Sequence, residues 1–419
     1  MSIYKSYRKM CPDVIVNERV TNIIKTVPIR VGYSTIRVTL KTDKLTDKTL
    51  TSCALTALSV VCRKGCLVDI VDVSVKSSPK NEKLRECIPV ERLFAREAFF
   101  YNTVLVDLVE FQRDAGAKKE EGFQGAPDLI AASLDEGEEA IIVRNNGSEW
   151  TPRYEKWVGE LTKEHVVAVL KEFARFHALC FAFGKVNPEK FEGFKMELQG
   201  GYLSGLENKH SLKIIHENLR NTLKFFSDEG VAKKLKKFDE EVDNFMENVL
   251  NGSRDGEVVV HGDVTTNMLF CYEKAEESHA VSRAKFTNWQ LVKFGSPVFD
   301  LAVFFFTNCS SDDLSNLEDF LKEYHIHLAT SCKEFKCDAD DFFSYEKLQE
   351  HWIKYAKFGL ALTFLNFGIL SLEFSKRPNA NVEDLSCEEF LESFVRPPND
   401  DFIRKIKDVA KYCVANGLV

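Results

Sequence analysis

The stretch "VVVHGDVTTNMLF", residues 258–270, decides how the chain is read. An apolar run stops at His261-Gly262-Asp263, and Asn267 follows four residues after the aspartate. The run reads as a short strand at about 257–260, Gly262 permits a sharp turn, and Asp263 is left at the rim. A carboxylate there can accept a proton from a substrate hydroxyl, and the amide oxygen of Asn267 can serve as a metal ligand. Phosphoryl transfer needs such a pair: an orienting base, and a neutral oxygen beside a cation. On these residues alone, a turn with a solvated aspartate and a capping asparagine fits as well.

The context extends the pattern. Asn288 follows Asn267 by 21 residues, within Thr287-Asn288-Trp289-Gln290 and after a second short strand predicted at 283–287. Asp300 comes 12 residues later, in "GSPVFDLAVFF". This arrangement resembles the catalytic loop and metal-binding segment of the kinase-like phosphotransferases. It is most similar to the ecdysteroid kinase-like (CHK kinase-like) family, relatives of choline kinases and aminoglycoside phosphotransferases. That family's pattern reads H-G-D-x-x-x-x-N, then I-D-[FW]-Q, then S-P-x-x-D-L. Here His261, Gly262, Asp263, Asn267, Trp289, Gln290, Ser296, Pro297, Asp300 and Leu301 match it. Upstream, "VSVKSSP" puts Lys76 at a strand end where the family has its phosphate-contacting lysine. "LFAREAFFY" resembles the F-x-x-E-x-x-F-Y helix, with Glu97 as the partner of that lysine. "EFARFHALCFAF", Glu172 to His177 and beyond, resembles the L-A-x-F-H-A segment.

The resemblance implies an α+β, two-lobed, protein-kinase-like fold that moves the γ-phosphate of ATP to a hydroxyl of a small apolar molecule, an ecdysteroid or related sterol alcohol. It implies that Asp263 orients and deprotonates the hydroxyl, with Asn267 beside it. Lys76, held by Glu97, binds the α/β-phosphates, and Asn267 and Asn288 hold Mg. His261 and Asp300 support the loop without doing chemistry, Asp300 through backbone N–H groups. Lys76 would face a cleft, so its truncation is expected to weaken ATP binding and spare the fold. His177, on an apolar helix, reads as a hydrogen-bonded core histidine.

Three features depart from the family pattern. Asn288 stands where the family has its metal-binding aspartate; an asparagine keeps one oxygen and loses the charge that a hard cation favours. The phosphate-covering turn, G-x-N-y-x-S in the family, is reduced to Gly32 and Ser34 of "RVGYSTIRV". At the hinge, Arg144 and Asn145 of "IIVRNN" replace Glu-Asp. A small-molecule kinase with weakened activity and a catalytically inactive kinase fold, a pseudokinase binding a ligand or protein, both remain open. So does an introduced substitution at 288.

The rest of the chain frames this reading. Its 419 residues exceed one small core. Residues 1–144 read as a strand-rich lobe: strands at 29–41, 67–76 and 138–144, with a helix at 91–111 whose Leu93, Phe94, Ala98, Tyr101 and Val104 share a face. Residues 145–160 read as the hinge. Residues 161–419 read as a helical lobe with catalytic loop 261–267 and metal segment 287–300. Its helices are expected at 162–184 (capped by Thr162, stopped by Gly184), over 211–227 and 231–250, and at 312–333, 341–376 and 399–416. A net charge of −8 favours neither nucleic acid nor an anionic membrane. The longest apolar stretch, residues 358–372, is shorter than the ~18–20 residues of a membrane span and reads as a core helix. The N-terminus has no secretory apolar core, so a cytoplasmic protein with reduced thiols is expected. The 12 cysteines lack the paired spacing of a zinc site. The 33 phenylalanines fit an apolar acceptor pocket and an ordinary core equally.

Overall fold

The structure is a computed structural model describing residues 34–40, 54–64, 67–118, 121–144, 150–152, 161–198, 208–251, 255–272, 281–366, 386–392, 394–395 and 400–419. Its first part is an antiparallel sheet of β1 (Ser34–Leu40), β2 (Ala54–Lys64), β3 (Leu67–Ser77), β4 (Leu129–Ser133) and β5 (Ala140–Arg144), in the order β1-β2-β3-β5-β4. The sequence reading contains β1, β3 and β5 and misses β2 and β4. The run "ALTALSVVCRK" of β2 breaks polar–apolar alternation, and "LIAAS" of β4 is short and alanine-bearing, a composition poor in strand signal.

Between β3 and β4 lie α1 (Glu82–Cys87), α2 (Val90–Phe99), a π-helical turn at Phe100–Val104 and α3 (Leu105–Asp114). The expected face is buried as the spacing predicts: Leu93, Phe94, Ala98, Tyr101 and Val104 are each at most 3% exposed. The single helix expected there is interrupted by the π turn, which adds a residue to one turn and re-aims α3 relative to α2.

The second part is mainly helical. In chain order it comprises β6 (Trp150–Pro152), α4 (Lys163–Val186), α5 (Pro188–Leu198), α6 (Asn208–Leu223), α7 (Glu229–Asn251), β7 (Val258–Val260), β8 (Met268–Tyr272) and β9 (Val281–Phe286). Next come a 3-10 turn at Trp289–Leu291, β10 (Lys293–Gly295), α8 (Val298–Asn308), α9 (Ser311–Ser315) and α10 (Leu317–Glu334). The last described elements are α11 (Tyr345–Tyr355), α12 (Lys357–Leu365), α13 (Cys387–Glu392) and α14 (Asp400–Ala415). β7 pairs with β10, and β6, β8 and β9 form a three-stranded sheet. Strands β6, β8 and β10 escape the sequence reading, because three to five residues leave no room for a periodic signal.

Helix α4 is the axis of this part, packed against α10 and β9. It runs past Gly184, whose missing side chain makes room for the Phe191 ring of α5. Thr162 precedes it in extended backbone, yet its hydroxyl pairs with the His165 ring at 2.8 Å instead of a backbone N–H. The long helix expected at 341–376 is divided at Ala356 into α11 and α12; residues 367–376 lie outside the described residues. Helix α8 is buried along its whole length. Gly359 of α12 lies so close that a Cβ there would sit 2.5 Å from the Ala302 carbonyl carbon. Phe100, Phe173, Phe176, Phe183, Phe270, Phe286, Phe299, Phe304 and Phe305 are all fully buried, so much of the phenylalanine content builds core. Among the described residues no helix is long and apolar enough to cross a membrane. The fold class is α+β in two lobes, and the site lies where β3 and α2 meet the segments flanking β7 to β10.

Candidate active site

The loop after β7 is gripped from beneath. Asp300, in the first turn of α8 and fully buried, accepts the backbone N–H of His261 through Oδ2 and of Gly262 through Oδ1, both at 2.8 Å. Gly262 turns the chain with φ +87°, a conformation natural to glycine. Two further side chains hold the loop: Asn308 Nδ2 donates to the Val264 carbonyl at 3.3 Å, and Asn366 Nδ2 to Thr265 Oγ1 at 3.0 Å. His177 is buried, bonded to the Tyr324 hydroxyl at 2.8 Å, with its Nε2 3.4 Å from Asp300.

His261 is a fully buried neutral ring. Its Nε2 lies 2.9 Å from the Thr287 carbonyl, an acceptor only, so Nε2 carries the proton. Nδ1 then accepts the Asp263 N–H at 3.2 Å. Burial pushes its pKa below the usual histidine value, against the opposing pull of Asp300 and Asp263. The Thr287 N–H donates to the Asn267 carbonyl at 2.9 Å, so Thr287 ties the 287–290 segment to the catalytic loop through both its N–H and its carbonyl.

Asp263 is half-buried and oriented. Oδ1 accepts the Thr265 N–H at 3.2 Å, and Oδ2 accepts Asn267 Nδ2 at 3.1 Å. The Asn267 amide group also donates to the Asp263 carbonyl, which fixes the direction of its side chain and leaves its oxygen facing the 288 segment.

Lys76 enters from β3, paired in register with Leu55 and Ile141. Its ammonium meets Glu97 Oε2 at 2.6 Å, Asn288 Oδ1 at 2.6 Å and Gln290 Oε1 at 2.7 Å, one acceptor for each of its three protons. Glu97, 2% exposed, bonds through its other oxygen to the Trp289 N–H at 3.1 Å. Trp289 is fully buried, stacks on Phe100 and lies 4.4 Å from the His261 ring. The structure thus brings together Lys76, Glu97, His261, Asp263, Asn267, Asn288 and Asp300. Gln290 joins them with no role assigned from sequence; its only signal is its place in the matched pattern. The Arg144 side chain is exposed and 3.7 Å from Asp128. The Ser34 backbone opens β1 opposite Arg63; Gly32 and Asn145 lie outside the described residues.

The fit of a magnesium ion turns on Asn288. Its backbone is left-handed (φ 64°, ψ 59°), which asparagine tolerates better than most residues. A lysine ammonium only donates, so the group bonded to Lys76 is the amide oxygen, and the NH2 group faces Asn267 Oδ1 at 3.5 Å. The residues expected to supply two oxygens therefore present one oxygen and one NH2 group. Among the described residues no group of three or more histidine, cysteine, aspartate or glutamate side chains could hold a metal ion. As folded, the residues do not fit Mg.

The ecdysteroid kinase-like family matches residues 52–337, a span holding every site residue above from Lys76 to Asp300. The chain belongs to the ecdysteroid kinase-like family. As an ecdysteroid kinase-like protein it is a member of the kinase-like phosphotransferases that act on small-molecule acceptors. Comparison with curated proteins gives no match. Among solved structures this ecdysteroid kinase-like chain is similar to the GDP complex of a point mutant of aminoglycoside 2'-phosphotransferase-IIIa, at 12% identity and TM-score 0.45, over 95% of this chain and 99% of that one. The wild-type GDP complex gives 11% identity and TM-score 0.41, over 90% and 99%. Macrolide 2'-phosphotransferase MphH from Brachybacterium faecium, an apoenzyme, gives 13% and 0.37, over 90% and 98%.

Proposed function

We propose that this chain transfers the γ-phosphoryl group of ATP to a hydroxyl of a small apolar molecule, an ecdysteroid or related sterol alcohol, at a rate held down by Asn288. The observation that carries the reading is Lys76 Nζ: it is paired with buried Glu97 and bonded to Asn288, in the segment beside the Asp263 loop. In this reading Lys76 takes phosphate oxygens, and Asp263, held by Thr265 and Asn267, takes the acceptor's proton. In the step, the acceptor oxygen bonds to the γ-phosphorus as the bond to the β,γ-bridging oxygen breaks. The hydroxyl proton passes to Asp263, and ADP leaves. Asn288 offers no carboxylate to hold a cation against the phosphates, so the stabilisation that a cation would lend the transition state is missing.

The test combines purified chain, ATP and a panel of ecdysteroids and other apolar alcohols, with phosphoesters detected by mass. A steroid phosphoester is expected. Asp263→Asn should lower its formation by ~10²–10⁴-fold, the usual worth of a positioned base. ATP should raise the melting temperature of both proteins. Absence of product from the parent and from Asn288→Asp alike overturns transfer.

A second reading, a pseudokinase that binds a ligand without transfer, is favoured by one observation: every Lys76 proton already has a protein acceptor. Steroid binding that is indifferent to ATP, without product, selects it.

A further inference from the structure

The two ends of the Asn288 side chain differ in what they can hold. Its oxygen is committed to Lys76 at 2.6 Å. Its NH2 group points at Asn267 Oδ1 across 3.5 Å, too far for a strong hydrogen bond. An NH2 group in that place disfavours a cation and offers protons to an anion. The charge around it points the same way. The acidic side chains of the cluster are Glu97, paired with Lys76, Asp300, whose two oxygens are taken by the His261 and Gly262 N–H groups, and Asp263; residues 288 and 290 are uncharged amides. With an aspartate at 288, an incoming polyphosphate would meet one more carboxylate, a repulsion that a divalent cation ordinarily offsets. That added charge is missing here.

Resting on the nucleotide reading above, we propose that this site takes the nucleotide's polyphosphate as the free anion, without a divalent cation. A phosphate oxygen replaces the Gln290 or Asn288 oxygen on Lys76 while Glu97 keeps its bond. The exchange swaps a neutral acceptor for a charged one, and charge-assisted hydrogen bonds are the stronger kind. The NH2 group of Asn288 donates to the same anion. The amides act as placeholders: they satisfy a buried ammonium when no phosphate is there and are cheaply displaced when one arrives.

Isothermal titration of the full chain tests this, with ATP and separately with inorganic tripolyphosphate, in EDTA and in excess magnesium. The ATP Kd in EDTA is expected within about threefold of its value in magnesium, since no protein carboxylate at 288 calls for the metal. Tripolyphosphate should bind in EDTA and compete with ATP. Asn288→Asp should weaken metal-free binding by about tenfold or more and recover it with magnesium. Asn288→Gly, which accepts the left-handed backbone and carries no charge, should stay metal-independent and serves if the aspartate variant folds poorly. Parental ATP binding seen only with magnesium overturns the proposal and leaves the phosphotransferase reading standing. So does an Asn288→Asp protein that binds metal-free ATP as tightly as the parent. ATP binding in neither buffer overturns the nucleotide reading and this proposal together.

Discussion

The rings of Phe100 and Trp289 lie face to face, centroids 3.9 Å apart and planes 10° from parallel. Phe100 opens the π turn one step beyond α2, three residues after Glu97, and Trp289 follows Asn288. The stack therefore fixes the helix bearing the Lys76 partner against the segment bearing the Lys76 amides. Phe100→Ala should cost about 3–5 kcal/mol, the usual range for emptying a fully buried phenylalanine site. Phe100→Leu should cost less. Urea denaturation of the two variants checks the order, and equal costs would mean that volume filled without the ring recovers nothing.

The sequence leads one to expect that Lys76 tolerates truncation. Its burial corrects this: Lys76 is 5% exposed and Glu97 2%, so Lys76→Ala leaves a carboxylate buried without its cation. Breaking such a pair typically costs about 3–5 kcal/mol. Lys76→Ala should melt well below the parent, and the double variant Lys76→Met/Glu97→Leu should recover much of the loss. A fully stable Lys76→Ala protein would count against the buried pair.

Asp300→Asn should damage the loop more than its size suggests. One oxygen becomes an NH2 group, which must face either the His261 or the Gly262 N–H. Losing a hydrogen bond to a charged acceptor costs about 1.5–3 kcal/mol, and donor facing donor adds to it. Amide hydrogen exchange should show faster exchange at 261 and 262 than in the parent. Unchanged protection there would show that the carboxylate does not hold the loop.

His261 sets a pH dependence. In the unfolded chain its ring takes a proton near pH 6.5, while in the fold burial holds its pKa lower. Between those two values the unfolded state binds more protons, so this contribution to stability is intact above pH 6.5 and is lost as the pH falls below it. The slope for one proton is at most about 1.4 kcal/mol per pH unit. Denaturant midpoints from pH 7.5 to 5.5 should fall more steeply in the parent than in a His261→Gln protein.

The fold is legible in the sequence where function constrains local chemistry. The His261-Gly262-Asp263 turn and the Asn267 spacing can be read by eye because each needs a particular residue type. The buried face that runs from α2 into the π turn is legible because five buried positions keep near-helical spacing. Strands β6, β8 and β10 are not, since their pairing with distant partners makes them strands and their own composition does not. The two-oxygen expectation at Asn267 and Asn288 fails for a similar reason. Which end of the Asn288 amide faces inward depends on Lys76, 212 residues earlier, and Gln290 meets the same ammonium only because a 3-10 turn bends it back.

Gly359 rests against the main chain of Ala302, two residues past the aspartate that grips the catalytic loop. A methyl group at 359 would strike a carbonyl carbon and oxygen that every amino acid carries at 302. Ala302→Gly would remove only the third contact, with the Ala302 Cβ at 2.8 Å, so a substitution at 302 should be a poor suppressor of Gly359→Ala. The strain must instead travel along α8 and emerge at the loop, so a random screen for revertants should return glycine at 359 itself far more often than any compensating change.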